Sequence, residues 1–144
     1  MSKALDLKMG EENELKNVAT LSSFFKTDLS KNNGKFATID WSNQSNTIYV
    51  ELKSRRIYHN LYPTALIGLN KVNFCNDPTK NYYFVYAYTD GLFYIKYDKE
   101  LFKTFEIKQL KIGLRNDVNR IELSDVMHIP TKHLIKIENK KDEI

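Results

Sequence analysis

One cysteine, Cys75, is all the thiol chemistry in this chain of 144 residues. No internal disulfide can form, a thiolate metal site is unsupported, and a reducing compartment is the natural setting. No stretch approaches the roughly 18 apolar residues of a membrane helix, and the opening MSKALDLKMGEEN lacks the apolar core of a secretory leader. A soluble, intracellular protein working away from membranes is therefore expected. The chain has no glycine-rich loop followed by Lys and Ser/Thr, which argues against a nucleoside-triphosphate cradle. Zinc is poorly served, because His128 and His133 do not share a helix face and no cysteine pair completes a set. His59-Asn60 lacks the companions of a His-Asn-His nuclease, and Cys75 lacks a histidine partner, so it reads as a small buried hydrophobe. Repeats, low-complexity tracts and linkers are missing too. One domain over residues 1–144 is expected, with the mixed-charge end frayed from about 138.

Aromatic and charged residues are plentiful. Nine Tyr and eight Phe in a chain that is 42% apolar argue for a folded protein with much β structure. A net charge of +4 permits a polyanionic partner without demanding one. The tightest basic cluster is Lys53, Arg55 and Arg56.

That cluster ends the stretch with the clearest pattern, KFATIDWSNQSNTIYVELK, residues 35–53. Successive side chains of a strand point to opposite faces. Ile48, Val50 and Leu52 thus share one face, and Tyr49, Glu51 and Lys53 the other. Ala37, Ile39 and Trp41 form the apolar set of the preceding run, with Thr38 and Asp40 opposite. Five residues of turn chemistry, SNQSN, separate the runs. A turn centred on Ser45 and Asn46 joins the apolar faces and sets Asp40 against Glu51 and Thr38 against Lys53.

Two carboxylates facing each other across a ladder repel. A hard cation answers that conflict, since Mg²⁺ takes one or two protein carboxylates and leaves its other positions to water and phosphate. Lys53, on the same face, could orient or activate a water and neutralise charge developing on a phosphate. A solvated strand face with an ordinary Glu-Lys pair is the plain alternative.

Upstream, residues 11–25 predict an amphipathic helix with Leu15, Val18, Leu21 and Phe25 on one face, where Glu11 and Glu14 also project. Acids near a helix start are favoured by the dipole alone. Asn32, Asn33 and Gly34 predict a turn into the hairpin. Pro63 predicts a short helix carrying Ala65, Leu66, Ile67 and Leu69, with Lys71 near its end and within reach of the site. Residues 81–89 and 92–98, joined through Asp90-Gly91, predict a second hairpin whose first strand lies beside the first hairpin. Its tyrosines, Tyr82, Tyr83, Tyr86, Tyr88, Tyr94 and Tyr97, suit core and rim better than base stacking. Further on, the pattern predicts a helical turn at 99–102, strands at 104–114 and 120–123, and a short last strand at 126–130 stopped by Pro130.

An acid on an N-terminal helix, then Asp, then Glu-x-Lys on adjacent strands resembles the PD-(D/E)XK superfamily. The runs VELKSRR, YPTALIGLNK and YAYTDGLFYIKYD are similar to small members of it from large DNA viruses and phages. The resemblance spans residues 10–98. It implies an α+β (α/β) fold with a central mixed β-sheet flanked by helices, a restriction-endonuclease-like core. It also implies a Mg²⁺-dependent nuclease acting on nucleic acid, most naturally DNA, with Mn²⁺ able to substitute. Asp40 and Glu51 are then metal ligands, Lys53 assists water attack, and the helix acid maps onto Glu14, with Glu11 second. Arg55, Arg56 and Lys71 would hold flanking phosphates. Ile39 stands where the family's proline is found. A homodimer is left open, as is a host cytoplasmic or nuclear setting if the chain is viral. Two other classes stand beside the nuclease: a catalytically silent nucleic-acid-binding module and a viral assembly protein on the same fold.

Overall fold

Alternating side chains along residues 48–54 and 81–96 build the centre of a sheet whose two faces are covered by helices and a second sheet. The computed structural model describes residues 3–32, 38–114 and 117–138, without the side chains of 3–12, 112–114 and 117–122. In chain order the elements are α1 (Lys3–Phe25), β1 (Leu29–Lys31), β2 (Trp41–Asn43), β3 (Ile48–Ser54), β4 (Thr64–Gly68) and α2 (Leu69–Phe74). Then come β5 (Asn81–Tyr88), β6 (Gly91–Lys96), α3 (Lys99–Phe102), β7 (Glu106–Leu114), β8 (Asp117–Pro130) and β9 (Ile135–Lys136).

The strands form a six-stranded mixed sheet, β1-β2-β3-β5-β6-β9, and a three-stranded antiparallel sheet, β4-β8-β7. The chain is of the α+β class. Among the described residues, no helix is long and apolar enough to cross a membrane. β3 and β5 run parallel, with Glu51 beside Phe84 and Lys53 beside Tyr86. A parallel pair needs a crossover, and β4 with α2 supplies it. The β5–β6 hairpin closes with Tyr88 opposite Gly91, whose φ of 138° only glycine adopts without strain.

One face of the large sheet carries Trp41, Val50 and Val85, and α1 covers it with Val18 and Leu21. Burying Leu21 completely contributes about 2 kcal/mol. The other face carries Tyr82, Phe84 and Tyr86, packed against Ala65 and Ile67 of β4 and Met127 and Ile129 of β8. The Tyr86 hydroxyl donates to the Leu66 carbonyl at 3.0 Å, bolting the two sheets together.

The large sheet is flanked by helices, α1 on one face and α2 and α3 on the other, where the second sheet packs beside them. Three expectations are corrected. Residues 64–68 form a strand, not a helix, with Ala65 and Ile67 buried and their neighbours half-exposed. A short glycine-containing helix is marginal on its own, whereas β4 gains a full antiparallel ladder with β8; the helix begins only after Gly68. Residues 117–130 form one long strand in place of two short ones. Leu15, assigned to the buried face of α1, is 63% exposed.

Candidate active site

The Asn43 side chain organises the hairpin turn. Its Oδ1 accepts from Thr47 N at 2.9 Å and Ile48 N at 3.0 Å, while its carbonyl accepts from Asn46 N at 3.0 Å. Asn46 takes φ 55°, a left-handed conformation that Asn tolerates. The resulting register sets Trp41 opposite Val50 and Ser42 opposite Tyr49. Regular pairing stops there, because residues 38–40 bend. That bend sends Ile39 into the core on the opposite face from Trp41, although plain alternation puts both on one side. Residues 33–37, including Ala37 and most of the expected turn before the hairpin, lie outside the described residues.

The bend lays Asp40 against Glu51. Asp40 N donates to Glu51 Oε1 at 3.2 Å. Lys71, reaching from α2, sets its Nζ 3.2 Å from Glu51 Oε2 and also donates to the Thr38 carbonyl. Glu51 is only 4% exposed. Loss of solvent pushes its carboxyl pKa up and the nearby Asp40 carboxylate adds to the rise, while Lys71 and the Asp40 N–H oppose it; the net direction is upward. Asn32 pins the bend, its N donating to Asp40 O at 2.7 Å and its Nδ2 to Ile39 O at 2.9 Å. Ser42 Oγ in turn donates to Asn32 Oδ1 at 2.8 Å.

Lys53 follows on the same face of β3. Burial lowers its pKa first, and the positive charge of Arg55 lowers it further, while Glu51 and Asp40 act against that. Arg55, Glu51, Lys71 and Asp40 therefore all lie near enough to act on Lys53. Arg55 and Arg56 are exposed just beyond the strand, free to meet an external anion. Lys71 does not join them on the surface, since Glu51 and the Thr38 carbonyl occupy it.

Glu14 lies elsewhere. It belongs to the helix on the far face, and its carboxylate pairs with Lys31 at 3.4 Å. Glu11's side chain is outside the described residues. Among the described residues no three His, Cys, Asp or Glu side chains converge as a metal cage. An open cavity of about 790 Å³ also lies on the α1 face, lined by Phe24, Tyr94 and Ile137 among others, away from Asp40 and Glu51. Cys75 is buried in the core, and that burial raises its thiol pKa to about 12, so it is no nucleophile. Among the histidines, His59 pairs with Asp90 and His128 Nδ1 lies 3.3 Å from Thr64 Oγ1.

The chain matches no family model, and no curated protein matches it at a significant level. The chemistry of the site rests on its own donor set. That set fits a hard divalent ion: two carboxylates in each other's field, one drawn out of water, which is within the complement Mg²⁺ takes from protein. Each Glu51 oxygen has one partner in the fold and keeps a second lone pair.

Two features escaped sequence reading. Asn32 looked like turn chemistry, and no local pattern tells that its amide anchors the Asp40 bend. Lys71 was seen as a phosphate contact, and its pairing with Glu51 depends on the position of β4, which brings α2 across the site.

Proposed function

We propose that this protein is a metal-dependent nuclease of the PD-(D/E)XK type that hydrolyses phosphodiester bonds of nucleic acid, most naturally DNA. The observation that carries the reading is the Asp40–Glu51 pair, in which a buried carboxylate is kept within the field of a second one. Lys71 offsets one of the two negative charges, and a bound cation would offset the other. Asp40 and Glu51 would hold Mg²⁺, or Mn²⁺ in its place, which when bound polarises the phosphate and acidifies water. Glu14 is left out of the set because Lys31 holds its carboxylate.

Lys53, on the same strand face as Glu51, orients the attacking water and offsets charge developing on the phosphate. Lys71 fixes the Glu51 carboxylate and balances its charge. Arg55 and Arg56 neutralise phosphates flanking the cut, a role without sequence preference that salt weakens. On this reading the enzyme works inside the cell, in host cytoplasm or nucleus if viral, and a homodimer is the arrangement that cuts both strands of a duplex. The test is cleavage of DNA by the purified protein with Mg²⁺ or Mn²⁺. Activity is expected in the wild type and not in Asp40→Ala, Glu51→Ala or Lys53→Ala; undiminished cleavage in all three overturns the reading.

A second reading has an observation of its own. Lys71 already neutralises Glu51, so the cluster is stable as a structural ion pair in a silent nucleic-acid-binding or assembly protein. Binding of DNA with steep salt dependence, no cleavage, and no stabilisation by Mg²⁺ or Mn²⁺ would favour it.

A further inference from the structure

The loop of residues 55–63, between β3 and β4, is held along its length and yet turns large apolar side chains outward. Arg55 N donates to Ala87 O at 2.9 Å, Thr89 N to Ile57 O at 3.1 Å, and Thr131 N to Pro63 O at 2.9 Å. In the middle, His59 N donates to Asp90 Oδ1 at 3.0 Å, its ring pairs with the same carboxylate, and it stacks on Phe93 with centroids 4.3 Å apart. Between these anchors Tyr58 is 64% exposed, Leu61 56% and Tyr62 59%.

Single exposed apolar residues are ordinary, but several together on one fixed loop form a patch that marks a binding surface. The tyrosines of β5 cannot serve in their place, since Tyr82, Tyr86 and Tyr88 are buried and Tyr83 packs against Phe25 of α1. Charge narrows the choice of partner. Arg55 and Arg56, both exposed, lie in the same loop, and the loop joins the strand of Lys53 to the strand leading to Lys71. Exposed aromatic rings that follow two exposed guanidinium groups on one loop suit a strand whose bases are free to stack and whose phosphates need counter-charge. Duplex bases already stack on each other and offer their faces only after extrusion.

We propose that residues 55–63 form a platform for unpaired bases, with Tyr58 and Tyr62 stacking on them and Arg55 and Arg56 holding the adjoining phosphates. Joined to the nuclease reading, on which this point alone rests, it makes the preferred substrate a single strand or a single-stranded flap next to the cut.

Anisotropy titration of the full chain in EDTA tests the platform without any cleavage, using labelled oligothymidylate of about 16 nucleotides and a duplex of the same length. The wild type is expected to favour the single strand. Tyr58→Ala with Tyr62→Ala should weaken single-strand binding by about tenfold or more and leave duplex binding within about twofold. Tyr58→Phe with Tyr62→Phe should keep the affinity, because the ring faces remain. Equal loss on both oligonucleotides, no loss, or no wild-type binding to either overturns the proposal. So does a double variant that dissolves a dimer without changing oligonucleotide affinity, which would make the patch a protein interface. A protein that binds as expected but cuts nothing refutes the nuclease reading and leaves the platform standing.

Discussion

Lys71 on α2 and Glu51 on β3 are joined at 3.2 Å, an ion pair that ties the helix after β4 to the large sheet. Removing one partner of a buried pair leaves the other charge stranded, a larger penalty than replacing both. Lys71→Met is therefore expected to cost roughly 3 kcal/mol of stability, while Lys71→Met with Glu51→Gln recovers most of it. Urea unfolding of the two single variants and the double gives the coupling directly.

Stability should fall as pH rises in the metal-free protein. Glu51 holds its proton more tightly folded than unfolded, because burial and Asp40 raise its pKa. Its contribution is full below the ordinary value of 4.5 and is lost as pH rises through the higher folded value. Glu51→Gln removes this dependence but strands Lys71, so the informative quantity is the difference between the two proteins: the wild type's melting temperature relative to the variant's should fall as pH rises. A wild type that gains stability relative to Glu51→Gln as pH rises would contradict the assignment.

Mg²⁺ or Mn²⁺ should stabilise the wild type by about 2.7 kcal/mol at a hundred times the dissociation constant. Asp40→Asn should abolish that gain. Lys71 competes with the ion for Glu51, so Lys71→Met should bind Mn²⁺ more tightly even though it folds less stably. Isothermal titration separates the two effects, and an unchanged affinity in Lys71→Met would rule out competition.

The hairpin turn should be sensitive at Asn43, which is 7% exposed and accepts two backbone hydrogen bonds. Asn43→Ala leaves those N–H groups without a partner, at a cost of about 2 kcal/mol. Chemical denaturation measures it, and loss of regular β2–β3 pairing should appear first as faster amide exchange at Thr47 and Ile48.

The parts of the fold that could be read from the sequence are those where short-range alternation and turn chemistry agree. In 41–53 the apolar faces and the Asn-rich turn specify one register, and a slip by one residue would turn Val50 to the wrong face. The Asp90-Gly91 turn did the same for β5 and β6. Residues 64–68 were illegible because five apolar-rich residues fit helix and strand alike, and only the ladder with β8 decides between them. Leu15 fits the helical period but stays exposed, while Val18 and Leu21 are buried against the sheet. Ile39 departs from alternation because Asn32, distant in the turn, holds the bend. Within the site, Asp40, Glu51 and Lys53 came from one hairpin and were visible together. Lys71 reached the site through tertiary packing, which no local window contains.

The parallel pairing of β3 with β5 has a consequence for how the protein assembles. The crossover between them lays β4 against β8, a strand made much later in the chain, and α2 packs against both. The hairpin bearing Asp40 and Glu51 can close early from local contacts, but its cationic partner arrives only with the slow, long-range pairing. Formation of the Lys71–Glu51 pair is therefore expected to wait on the β4–β8 ladder, closed by a strand that leaves the ribosome late.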